Sequence, residues 1–102
     1  MNNPNLDVYY QMGKLYALIE REVDDSSKIN ERVFASYMTS PEKEIVPLIR
    51  LYEEASKKEG NTHITAAEEE YLDTIKRIDN FPSSVSAENQ SSIALGYYHH
   101  KK

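Results

Sequence analysis

The chain of 102 residues is long enough for one modest core and one domain, 1–102. Its 12 Lys+Arg against 17 Asp+Glu leave a formal net charge of −5, which argues against a wholly basic nucleic-acid binder and allows only a local basic patch. The absence of Cys excludes a disulfide scaffold, a Cys-based zinc site and thiol catalysis. No apolar run approaches the ~20 residues of a membrane span, and the opening MNNPNLD has neither the basic nor the apolar part of a signal peptide. The expectation is a soluble, intracellular, single-domain protein.

Gly and Pro are scarce, and the stretches between them are rich in Glu, Lys, Leu, Ile and Ala, which favours helix. The first predicted helix starts after Asn5 and runs to about Val23. Val8, Met12, Leu15, Ile19 and Val23 form its apolar stripe, with Tyr9 and Tyr16 beside them. Asp24-Asp25-Ser26-Ser27 reads as a stop and a new cap. A second helix is expected over about Lys28–Met38, with Ile29, Val33 and Tyr37 on one face and Phe34 adjacent.

Ser40 and Pro41 suit the cap and first position of a third helix, in which Pro47 should make a kink or mark the true start. Ile45, Leu48, Ile49, Leu51 and Tyr52 give its apolar face. Residues 59–62 read as a loop. Thr65 and Glu68 then have capping-box spacing, the clearest helix start in the chain. Tyr71, Leu72, Ile75 and Ile78 follow as the stripe, and Phe81-Pro82 closes it. Ser86 caps a last helix with Ile93, Ala94 and Tyr97 on its inner face. The fold class is therefore all-α, a compact antiparallel bundle of about five helices.

Signals for catalysis are poor. His63 has no acidic partner at metal-ligand spacing, and His99 and His100 would point roughly 100° apart on a helix. Glu68, Glu69 and Glu70 face different directions and read as a solvated helix start. No phosphate loop, nucleophile elbow or zinc-protease motif is present. The chain is read as a non-enzyme without metal or cofactor.

Lys57 and Lys58 read either as phosphate contacts or as complements to a helix dipole. The most acidic segment is 61–82, and only 83–102 is net basic. Eight tyrosines are unusual for this length. The pairs Tyr9-Tyr10 and Tyr97-Tyr98 should each turn one ring inward and the other toward the rim, as core filler, interface or, less readily, a base platform. Gly13, inside a helix, implies a close helix approach, within the bundle or to a partner.

Particular phrases go further. The run from Tyr9 to Glu20, YYQMGKLYALIE, resembles a tyrosine-rich "Y-x-x-G-R-L-F-A-x-L-E" phrase, and the run from Ala87 to His99, AENQSSIALGYYH, resembles "L-E-D-Q-G-x-F-A-L-G-Y-Y-H-Q". Residues 29–34 and 47–51 look like middle segments of the same family. In this order, the phrases resemble the C-terminal helical region of the large subunit of type I-C CRISPR Cascade, over nearly the whole chain.

That region is also made separately from an internal start, as the small subunit, and a chain of this length with its own Met1 is similar to that product. A segment cut from the large subunit would share the fold. The resemblance implies a cytoplasmic, non-catalytic assembly part. It would bridge backbone subunits to the large subunit, lie beside guide RNA and other copies of itself, and hold the displaced non-target strand of target DNA by sequence-independent contacts.

Candidates for those contacts are Lys14, Arg21, Arg32, Arg50, Lys57, Lys58, Lys76, Arg77, Lys101 and Lys102. Lys14 and Arg21, and likewise Arg50 and Lys57, are seven apart and share a helix face. Candidates for a partner interface are Tyr10, Gly13, Tyr97, Tyr98 and His99. The alternative is an acidic helical protein–protein adaptor without nucleic-acid binding.

Overall fold

Helix α1 (Pro4–Val23) is the spine of the molecule in the computed structural model, which describes residues 4–25, 27–58 and 65–101. It packs against α5 (Ala87–His100) most extensively, and also against α4 (Ala66–Lys76) and α3 (Pro41–Lys58). The short α2 (Glu31–Thr39) lies on α3 and α5. The expected all-α fold of five helices is what is seen, with no strand among the described residues.

The central position of α1 explains a departure from its stripe. Leu15, Tyr16, Ala17, Leu18 and Ile19 are all buried in succession. A helix with neighbours on several sides has no solvent face in its middle. Met12, Ile29, Phe34, Tyr37, Ile45, Leu48, Tyr52, Tyr71, Ile78 and Ile93 complete the core.

Several boundaries move for local reasons. Helix α1 is described from Pro4, and proline suits a first helical position. It stops at Asp24, whose φ of 48° is left-handed, a conformation Asp adopts more readily than most residues. The cap expected at 24–27 is not the cap of α2. Asp25 Oδ1 instead accepts from the backbone N–H and hydroxyl of Ser27 in a local turn. Asn30 caps α2 by accepting from the N–H groups of Arg32 and Val33, so that helix starts three residues later than expected.

Helix α3 starts at Pro41 and runs unbroken past Pro47, which is exposed. Thr65 caps α4 through Glu68 N–H at 3.0 Å, and Ser86 caps α5 through Asn89 N–H at 3.3 Å. Helix α4 ends at Lys76, well before Phe81-Pro82, and Leu72 is exposed while Thr74 is buried. Residues 78–86 lie outside the helices. They are tied to the α2–α3 corner by Glu42 N–H to Pro82 O and Val85 N–H to Thr39 O, each 3.1 Å. Ile78 thus reaches the core from a connecting segment. The expectations for 59–62 and His63 fall outside the described residues.

Candidate functional site

The joint between α1 and α5 positions everything around it. A Cβ added to Gly13 would land on the carbonyl oxygen of Ile93 and lie 2.7 Å from the backbone N of Tyr97. A Cβ added to Gly96 would land on the carbonyl oxygen of Tyr10 and lie 3.1 Å from the backbone N of Lys14. Two glycines thus let the helix backbones touch. The close approach expected at Gly13 is intramolecular. Gly13 is buried against α5.

The joint brings the C-terminal turn of α5 onto the side of α1. Tyr10 Oη is 2.9 Å from His99 Nδ1 and 3.4 Å from His100 Nε2. Both imidazoles meet the Tyr10 ring edge-on. The Arg21 guanidinium donates to the carbonyl oxygen of His100, where a cation complements the helix dipole. Lys14 and Arg21 both disfavour the charged form of His100. Lys14 is only 18% exposed and pairs with Glu70 of α4 at 3.5 Å. The His100 imidazole is held below its ordinary range, first by burial and then by Lys14; Glu70 opposes the shift.

Tyr98 is 59% exposed and Lys101 Nζ sits 4.8 Å from its ring centroid. Tyr97 turns inward. Its ring packs 4.4 Å from that of Phe34 and its hydroxyl donates to the Glu20 carboxylate at 2.8 Å. The inward and outward split expected of the pair holds for Tyr97-Tyr98. Tyr9 and Tyr10 are both half-buried.

The remaining basic candidates lie elsewhere. Arg32 is exposed on α2, Arg50 and Lys57 on α3, and Lys76 on α4. Arg77 pairs with Asp73 at 3.1 Å. Lys102 and the side chain of Lys58 are outside the described residues. Among the described residues no group of three His, Asp or Glu is arranged to hold a metal ion, and no helix is long and apolar enough to cross a membrane.

The two phrases that carry the family resemblance are therefore the two halves of one packed joint, each centred on its glycine. The family model of the CRISPR-associated protein Cas_Csd1 matches residues 1–102. The chain belongs to the Cas_Csd1 family. It is a CRISPR-associated protein of the type I-C large-subunit family. No curated protein matches the chain.

What a residue-by-residue reading of this Cas_Csd1 chain misses is pairing. Gly96 is the counterpart of Gly13, Tyr10 bridges to both histidines, Arg21 closes the end of α5, and Lys101 lies on Tyr98. The one available signal was the presence of a second glycine inside a helical pattern.

Proposed function

We propose that this chain is the small subunit of the type I-C Cascade effector complex. In this reading it is a non-catalytic, cytoplasmic part that joins backbone subunits to the large subunit, alongside guide RNA and further copies of itself. It steadies the R-loop through sequence-independent contacts to the displaced DNA strand. Family membership supports the setting. The observations that carry the DNA contact lie at the end of α5, where Arg21 donates to the His100 carbonyl and Lys101 lies on the exposed Tyr98.

The chemistry is adequate for a single strand. Arg21 uses one described hydrogen bond of the several a guanidinium can donate, and Lys101 is exposed. An exposed aromatic next to cations offers a stacking face and phosphate contacts that do not depend on sequence. The heteroduplex formed with guide RNA is about as stable as the duplex it replaces, so a few such contacts can tip the exchange. The net charge of −5 is compatible with a local basic patch, since only 83–102 is net basic. Lys14, Arg32, Arg50, Lys57, Lys58, Lys76, Arg77 and Lys102 are further candidates for strand contact, with Tyr10, Tyr97, Tyr98 and His99 for the protein interface.

The test is reconstitution. The tagged chain is added to a type I-C backbone assembled on guide RNA, with a large subunit from which the internal-start product has been removed. Incorporation with recovered binding to target double-stranded DNA is expected. Replacing Arg21 and Lys101 by Gln should leave incorporation intact and flatten the salt dependence of DNA binding, by roughly 0.7 in log–log slope per lost single-strand contact. Incorporation without recovered DNA binding would favour the adaptor reading, and failure to incorporate would overturn the small-subunit assignment.

A further inference from the structure

Helices α2 and α5 leave an open groove of about 360 Å³ between them. Its walls include Phe34 and Met38 of α2, Tyr97 and Tyr98 of α5, and the carboxylates of Glu20 and Glu31. The ring faces carry negative potential, and two acidic side chains share the same hollow. The Glu20 carboxylate accepts from the Tyr97 hydroxyl, yet a carboxylate has lone pairs for further donors. Glu31 is exposed in the first turn of α2. Burial, then the hydrogen bond to Glu20 and the nearby Glu20 and Glu31 charges, push the Tyr97 hydroxyl up.

The groove already holds a cation. Lys101, the residue that ends α5, lies over both tyrosine rings, 4.8 Å from the Tyr98 centroid and 5.7 Å from that of Tyr97. Its position shows the class of group this hollow accepts. Lys101 is itself exposed, at the edge of the groove, so a cation from another molecule can take its place.

We propose that the α2–α5 groove binds an arginine side chain presented by a partner protein, with Lys101 as an intramolecular placeholder that the arginine displaces. Arginine suits the hollow better than lysine. Its planar guanidinium stacks on aromatic faces and donates in a fork to carboxylates, here those of Glu20 and Glu31. Arg21 projects from α1 to the end of α5, so this site is separate from the guanidinium assigned above to the strand. It shares Tyr98 and Lys101 with the strand contact proposed above, so an arginine and a DNA strand would compete there.

The test is an NMR titration of the 102-residue chain with the peptide acetyl-Gly-Arg-Gly-amide. The control peptide carries citrulline, which keeps the shape without the charge. Saturable shifts confined to Glu31, Phe34, Met38, Tyr97 and Tyr98 are expected with arginine and not with citrulline. Glu31→Gln should weaken binding several-fold, and Lys101→Ala should strengthen it, because the placeholder is gone. Equal shifts with both peptides, shifts spread over the acidic surface, or weaker binding by Lys101→Ala would overturn the proposal.

Discussion

Gly13 and Gly96 face each other across the α1–α5 joint, each pressed on the backbone that flanks the other. No side chain separates the helices there, so the position of the last turn of α5, and with it Tyr98, His99 and Lys101, is set by backbone contact. Helical glycine costs about 1 kcal/mol relative to alanine, and this joint is where that cost is offset by packing.

Gly13→Ala should therefore destabilise the fold, although alanine is the better helix former. The added methyl meets backbone atoms that cannot rotate away, and overpacking costs typically 1–3 kcal/mol. A net loss of about 2 kcal/mol is expected in urea unfolding. Gly96→Ala should behave alike. The double variant should lose less than the sum, since helices already forced apart accommodate the second methyl. Unchanged unfolding midpoints would contradict the joint.

Tyr37 is fully buried, and its hydroxyl donates to the carbonyl oxygen of Met12 inside α1 at 2.8 Å. Tyr37→Phe keeps the ring and removes that bond, so a loss of about 1 kcal/mol is expected by chemical denaturation. Burial raises the hydroxyl's ionisation well above its ordinary value of 10.0, with Tyr16 adding to it. The folded state then keeps a proton that the unfolded chain releases. Stability should fall as pH rises above about 10, and this alkaline fall should be shallower in Tyr37→Phe.

His100 gives the opposite dependence. Its imidazole is held below the ordinary value of 6.5 by burial and by Lys14, Arg21 and His99, against the pull of Glu70. The folded state therefore resists protonation that the unfolded chain accepts. The stability tied to neutral His100 is present above about pH 6.5 and is lost as pH falls through its lowered folded value. Unfolding midpoints compared between pH 7.5 and 5.5 should show a smaller drop in His100→Gln than in the parent chain. An identical drop in both would remove His100 from the account.

Much of this protein was legible in its residues. The apolar spacings placed five helices, and Thr65 and Ser86 marked two of their starts, because capping is a local transaction between a side chain and N–H groups two or three residues on. Local chemistry also misled where two candidates competed. Asn30 took the cap expected at 24–27, and α4 ended at Lys76 because backbone bonds from Glu42 and Val85 hold the segment after it.

The candidate site divides along the same line. Composition supplied the cations, the tyrosines and an unexplained glycine, since these are properties of single residues. Only the tertiary structure decided that Gly13 pairs with Gly96, that Arg21 meets His100, that Lys14 pairs with Glu70, and that Lys101 lies on Tyr98 in an acidic, aromatic groove. Except for the local Lys101–Tyr98 pair, they join residues far apart in the chain or belong to the surface between two helices. A helical period states which face is apolar, but it carries no information on which other face it meets.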